Sequence, residues 1–423
     1  MAFQFDVESI RKQFPACAQK VNGFPVAHLD SPAGTQVPQR VTDSIVDYLV
    51  HHNANEGGFF PGAVYADDLE ERYSNVIADF LGCDADEVGF GCSTTQNNFR
   101  IAYSILKNLK PGDEIVFSHM EHRANSAPWF ELEKHYGIVV KRVRVDPITM
   151  QVDMNDLESK LSPKTKVAAF NWASNVTGTV SDVKTMCAMA HKYGAITIVD
   201  AVHYAGHLPM DVKEIDTDIL FCSAYKWFGP HIGVIYMKKA LLGSMDISGV
   251  KTDDLLSGRR KFHFGTPQYE LLGGVIEAVE FIATIGEQYA EHFADQLRGL
   301  AGRRKHIVAG MLAIEAYELP LSKRLRDGLS ALPGVTLYGP EEGQPRTPTV
   351  SFTAEGVDIV HIAKELAKNG VNVWHGDFYA VELVHVALQL GKTGGVVRLG
   401  IAPYNTEGDI DRAISVIAEI IKK

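Results

Sequence analysis

Between about residue 65 and residue 240, short apolar runs alternate with stretches of helical periodicity. The runs 88–90, 114–117, 137–140, 166–170, 196–199, 219–221 and 233–236 carry few polar positions. Strands buried on both faces read this way, because neither face tolerates an unpaired polar side chain. Amphipathic stretches lie between several of them, such as 183–193, which Gly194 closes as a C-cap. A further helix is expected over 99–106. This alternation predicts an α/β fold: a seven-stranded, mostly parallel sheet with helices on both faces. From 270 to about 332 the pattern is strongly helical and is interrupted only by glycines. After Pro333 and Gly334 a smaller α+β unit follows. It has expected strands at 336–338, 349–352, 370–374 and 396–401, a helix over 358–369 and a last helix from about 407.

The strand ends carry the chemistry. In a doubly wound sheet the crevice at the carboxyl ends is where ligands bind. Asp200 closes one strand, and 26 residues later Lys226 follows the next strand among aromatics and glycine. A lysine there can form an imine with an aldehyde, and an acid one strand away can keep a ring nitrogen protonated. Pyridoxal phosphate (PLP) needs that pairing. The run 91–98 follows the first strand and opens a helix with small hydroxyl residues. It reads either as an ordinary N-cap or as a cradle for a phosphate at a helix N-terminus. Beside a lysine and aspartate of this kind, the cradle is the better reading. Asn175 stands at another strand end, where it is a turn residue or an amide donor to a ligand. Arg398 lies within an apolar strand. Burial without a partner would be costly, so a carboxylate of the protein or of a ligand is expected beside it.

The 423 residues are 46% hydrophobic, enough for two or three domains with a large core. A net charge of −11 and the lack of any basic run exclude nucleic-acid and anionic membrane surfaces. The five cysteines (17, 83, 92, 187 and 222) are scattered with no C-x-x-C pair, as expected in a reducing compartment without disulfides or zinc. His119 and His122, or His203 and His207 at helical i, i+4 spacing, lack the further ligands a metal requires, so no metal is expected. The start has neither a basic n-region nor an apolar h-region, and no apolar stretch approaches 18 residues. A soluble, cytoplasmic protein is therefore expected.

Five motifs occur in order: Ser-Asn-x-x-Gly within Ala173 to Thr179, Asp-x-x-His at Asp200, Ser-x-x-Lys-x-x-Gly-Pro at Ser223, Phe-Gly-Thr-Pro at Phe264 and Val-Arg-x-Gly at Val397. Together they resemble the class V aminotransferase superfamily, and most closely its cysteine desulfurase and selenocysteine lyase branch. The resemblance runs from Leu29 to the last helix. It implies a fold-type I PLP enzyme, a homodimer with sites shared at the subunit interface. The implied organisation is an N-terminal segment (1–25) packed on the small domain, a large PLP-binding domain (26–300) and a small C-terminal domain (301–423). By motif, Lys226 is the Schiff-base lysine and Asp200 the partner of the pyridinium nitrogen. His122 stacks on the ring. Thr94, Thr95 and Ser223 hold the phosphate, with Thr266 reaching across from the second subunit. His203 lies near the phenolic oxygen, and Asn175 and Arg398 bind the substrate carboxylate.

Three departures separate this chain from the desulfurases. Their Ser-Gly-His-Lys is Ser223, Ala224, Tyr225, Lys226, and their Glu-His-His-Ala-Asn has Arg123 at its third position. Their persulfide cysteine has no counterpart: the matching stretch, 373–379, ends at Tyr379, and no cysteine follows Cys222. The expected activity is therefore that of a PLP enzyme working at Cα or Cβ of an L-amino acid, by β-elimination, desulfuration or β-decarboxylation. The alternatives are epimerisation or transamination on the same scaffold, or a catalytically retired accessory subunit. A nicotinamide dehydrogenase is disfavoured because no G-x-G-x-x-G turn is present.

Overall fold

The computed structural model describes residues 3–249 and 258–422. Seven strands form the large sheet: β1 (Val88–Gly91), β2 (Glu114–Ser118), β3 (Val139–Val143), β4 (Thr165–Asn171), β5 (Ile196–Asp200), β6 (Ile219–Ser223) and β7 (Gly233–Met237). Their order across the sheet is β1-β7-β6-β5-β4-β2-β3. Only β7 runs against its neighbours, β1 and β6; the other pairs are parallel. The parallel strands therefore end along one rim.

The helices that build the two cores and the site are α1 (Pro61–Leu81), α2 (Thr94–Leu106), α3 (Arg123–Tyr136), α4 (Val183–His191), α5 (Tyr269–Tyr289), α6 (Gly302–Ser330), α7 (Ile359–Lys368) and α8 (Glu407–Ile421). Side chains of α1, α4, α5 and the first half of α6 cover one face of the large sheet, and those of α2 and α3 cover the other. Two expected boundaries shift. Helix α2 starts at Thr94, not 99, because Ser93 caps it by accepting from the Gln96 N–H at 3.2 Å. The strand expected at 137–140 starts at Val139, since Gly137 is taken up as the left-handed C-cap of α3 (φ 70°).

A second sheet follows α6: β8 (Val335–Tyr338), β9 (Thr349–Ala354), β10 (Trp374–Gly376) and β11 (Val396–Gly400), antiparallel in the order β8-β9-β11-β10. The single strand expected at 370–374 is two pieces with different partners. Val371–Asn372 pairs in parallel with Ala27–His28 near the chain start, and Trp374–Gly376 joins the sheet beside β11. Leu321, Leu325 and Leu329 of α6 share a core with α7, α8 and this sheet, whereas Ile307, Met311 and Ile314 of the same helix join the large core. The chain start straps both sheets. Phe14 meets Phe281 and Tyr404 edge-on at 5.2 and 4.9 Å, and Asp30 bridges to Gly400. Among the described residues, no helix is long and apolar enough to cross a membrane.

Helices α5 and α6 approach until backbone touches backbone. A Cβ on Gly286 would lie 1.7 Å from the His306 carbonyl oxygen, and one on Gly310 would lie 2.1 Å from that of Ile282. Neither backbone can yield without parting the helices, so Gly286→Ala should cost about 1–3 kcal/mol, as overpacking does. Denaturant unfolding should then show a lowered midpoint for Gly286→Ala. An unchanged midpoint would mean that the two helices yield to the extra methyl without cost.

Candidate active site

The rim formed by the parallel strand ends gathers most of the residues singled out from sequence. Thr94, Thr95, His122, Asn175, Asp200, His203, Ser223 and Lys226 all line one cavity there. Arg398 and Thr266 do not. Arg398 sits on β11, over the loop that carries Asn175. Thr266 lines a separate cavity with Phe90, Arg100 and Phe264.

The N-terminus of α2 opens into the cavity. The Thr94 hydroxyl lies 2.8 Å from the Ser223 hydroxyl and donates to the Cys222 carbonyl at 2.8 Å. Strand β7 is pressed against this turn: a Cβ on Gly233 would lie 2.4 Å from the Ser93 carbonyl carbon and 2.5 Å from the Thr94 nitrogen. Free N–H groups, hydroxyls and the helix dipole together suit an anion.

Opposite lie the ionisable groups. Asp200 is buried and accepts one hydrogen bond, from the Val202 N–H at 2.9 Å. Burial pushes its carboxyl up to about 6. Lys226 is buried too. Burial, with Arg398 adding to it, pushes its ammonium down to about 7, and Nζ donates to the Pro32 carbonyl. Desolvation thus moves the acid and the base toward each other, and near neutral pH the lysine is divided between ammonium and free amine. The His122 Nδ1 accepts from the Ala124 N–H at 3.1 Å, which leaves any ring proton on Nε2. Burial, and then the charges of Lys226 and Arg398, push His122 down to about 4, so it is a neutral, flat ring at the cavity wall.

His203 is held from the second sheet. Its Nε2 lies 2.8 Å from the Thr349 hydroxyl and 3.0 Å from that of Thr347. Burial drives it well below its usual range, so it too is neutral. Asn171 and Asn175 each keep a buried side-chain oxygen with no hydrogen-bond partner, as expected beside a polar ligand.

The expected carboxylate partner of Arg398 is not supplied by the protein: among the described residues, no carboxylate lies within ion-pair distance. Its Nη1 donates to the Asn175 carbonyl at 2.7 Å, Nε is buried without a partner, and its guanidinium lies 3.7 Å from the Phe378 ring centroid. Burial pushes it down to about 9, with Asp30 opposing that shift.

Several contributors escaped the sequence reading. The Pro32 carbonyl and the Tyr225 ring, 5.0 Å from Lys226 Nζ, both contact the lysine. Thr347 and Thr349 hold His203. Glu121 ties three elements together by accepting from Ser118 at 2.6 Å, Asn125 at 2.7 Å and the Asn171 N–H at 3.0 Å. Glu121 had a usable signal, an acid beside His122 just after a strand. The threonines had none, because their contact with His203 spans more than 140 residues.

Against known proteins, the family described as Aminotransferase class-V matches residues 27–304 and 304–413. The chain belongs to that family. It is a PLP-dependent enzyme of amino-acid chemistry with a fold-type I architecture. A probable cysteine desulfurase 2 of Mycobacterium leprae is 32% identical over 97% of this chain and 95% of its own length. A probable cysteine desulfurase of Mycolicibacterium paratuberculosis is 31% identical over 98% of this chain, which spans 58% of that longer relative. The apo structure of a cysteine desulfurase from Thermococcus onnurineus NA1 superposes with a TM-score of 0.86 at 25% identity, covering 100% of this chain and 99% of the other.

The residues at the rim fit the cofactor. The α2 turn offers donors for a phosphate, Lys226 an amine for an aldehyde, and Asp200 a carboxylate with an ion-pair position to spare. Because the α2 turn leaves no room beside Gly233, Gly233→Ala should displace it. PLP affinity, read by fluorescence titration of the apoprotein, should fall about tenfold or more, as for loss of a charge-assisted hydrogen bond or two. Unchanged affinity would argue that the phosphate sits elsewhere.

Proposed function

We propose that Lys226 carries PLP and that the enzyme acts at Cα or Cβ of an L-amino acid, by β-elimination, desulfuration or β-decarboxylation. The observation that supports this best is a buried Lys226 and a buried Asp200 on one rim, with Arg398, free of any described carboxylate partner, facing them from the second sheet closely enough for its charge to act on Lys226. Bound PLP supplies an electron sink for the pair released at the substrate carbon. Asp200, ionised above about 6, would hold the ring nitrogen protonated. His122 would cover one face of the ring and His203 would lie at its phenolic side. Thr94, Thr95 and Ser223 would hold the phosphate. Arg398 and Asn175 would take the substrate's α-carboxylate, and the Lys226 amine, once free, is placed to move a proton at the substrate carbon.

A second copy would complete the site. Thr266 lines its own chain's other cavity and not the one lined by Thr94, Thr95 and Ser223, as expected of a residue that serves a phosphate across an interface. Val46, Leu49, Val50, Phe59, Phe60 and Val64 are all exposed near the start of α1, where an interface would cover them. The five cysteines are free, which suits a cytoplasmic enzyme.

Sulfur chemistry through a protein persulfide is disfavoured. Tyr379 occupies the loop position of the desulfurase nucleophile, and a phenol near pKa 10 is a poor substitute for a thiol. Cys222 is buried and its thiol is pushed far up by burial, while Cys92 lines the cavity of Thr266, away from Lys226.

Two outcomes are expected. PLP uptake by the apoprotein should quicken about tenfold per pH unit up to about 7 and level off above it, because only the neutral Lys226 amine reacts. Borohydride should then fix a pyridoxyl adduct on Lys226; an adduct on another lysine would refute the assignment. Turnover of L-cysteine, if any, should leave no protein-bound persulfide by mass spectrometry and should survive thiol alkylation. A persulfide on Cys92 or Cys222, with activity lost on its replacement, would restore the desulfurase mechanism.

A further inference from the structure

Arg398 has no carboxylate partner among the described residues, so its guanidinium must be held in plane by other groups. Phe378 does this in two ways. Its ring covers the guanidinium face, with the Arg398 Cζ 3.7 Å from the ring centroid. Its carbonyl accepts from the Asn175 side-chain Nδ2 at 3.1 Å, while the Asn175 carbonyl takes Arg398 Nη1 at 2.7 Å. Nη1 is thereby used and one face is covered. Among the described residues Nε is buried without a partner and Nη2 makes no hydrogen bond, so what remains free is the edge that grips a carboxylate with two parallel bonds.

The backbone at this point is strained. Phe378 and Tyr379 both lie in the left-handed region, at φ 52° and 60°, where bulky L side chains seldom go. Four hydrogen bonds besides that of Asn175 hold the turn: the Ala380 N–H to the Asp377 carbonyl at 2.9 Å, the Arg123 N–H to the Tyr379 carbonyl at 2.7 Å, the Tyr379 N–H to Asp377 Oδ1 at 3.0 Å, and His385 Nε2 with Asp377 Oδ2 at 3.0 Å. Arg123, one of the departures from the desulfurase pattern, also pairs with Glu382 at 2.6 Å, just beyond the turn. A turn so tied is a rigid part of the site, unlike the mobile loop that a persulfide carrier requires. Strain kept in place by this many contacts points to a role for the geometry.

We infer that Phe378 is a positioning residue, whose ring and carbonyl set the Arg398–Asn175 pair so that its free edge takes the α-carboxylate of the substrate. This rests on the proposed role of Arg398, and the test separates the two.

The PLP-loaded enzyme is titrated with L-alanine and with L-alaninamide, and binding is followed by the cofactor's visible absorbance. The wild type should bind the carboxylate in preference to the amide. Phe378→Ala should reduce that preference roughly tenfold, as for loss of a desolvated cation–π contact, while alaninamide affinity and cofactor loading stay unchanged. Phe378→Tyr, which keeps the ring, should restore the preference. If Phe378→Ala folds poorly, Phe378→Leu keeps the apolar bulk without an aromatic face and should still lose part of it. Full wild-type preference in Phe378→Ala or Phe378→Leu, alongside its loss in Arg398→Ala, would overturn the inference and leave the role of Arg398 standing. Full preference in Arg398→Ala would overturn both.

Discussion

Three ionisable side chains, Lys226, Asp200 and Arg398, are buried around one site without an ion pair among them, and the rest of the structure serves that arrangement. Removing such groups from water disfavours their charged forms, which is why the lysine and the carboxyl move toward neutrality. Isolated charges in this setting are tolerated only where the scaffold supplies dipoles, or where a ligand brings the missing charge. The Pro32 carbonyl, the Val202 N–H and the Asn175 carbonyl are the dipoles in place. A cofactor with a cationic ring and an anionic phosphate, and a substrate with a carboxylate, would supply the charges.

The scaffold delivers these groups from three directions. The large sheet brings Asp200 and Lys226 to adjacent parallel strand ends, and its strand β7 presses the α2 turn into place through Gly233. The second sheet brings Arg398, together with the hydroxyls of Thr347 and Thr349 that hold His203. The N-terminal segment contributes Pro32 and Asp30 as it crosses between them. Helix α6 spans both cores, so the distance from Lys226 to Arg398 depends on how its two halves pack. Close backbone contact at Gly286 and Gly310 bears on the chemistry for that reason.

The loop at Phe378 and Tyr379 is the stretch that the proposed reading sets apart from the desulfurases. A phenylalanine lies on the arginine and an exposed tyrosine stands near His122, their ring centroids 5.7 Å apart. The left-handed backbone there is held by the Arg123 backbone N–H of α3, by the Asn175 side chain of the β4 strand-end loop and by the Asp377 side chain of the loop itself. A thiolate carrier would need freedom that these contacts remove.

The amino-acid sequence determined the elements and the chemistry that local pattern encodes. All seven strands of the large sheet were legible, most because burial on both faces demands uninterrupted apolar runs, and the half-exposed edge strand β3 through its first two valines alone. Asp200, Lys226 and the hydroxyl turn were legible because their residue types suit one cofactor at strand ends. The sequence also carried the missing cysteine. Tertiary structure alone decided the rest. The strand expected at 370–374 divided between two partners, because the chain start competes for its first half, and no local pattern records a partner some 340 residues away. The mate of Arg398 is an aromatic face and a carbonyl, not an acid of the protein, and His203 is held by hydroxyls from the second sheet. Such contacts depend on where two separately patterned sheets meet, and hydrophobic periodicity specifies each sheet without specifying that meeting.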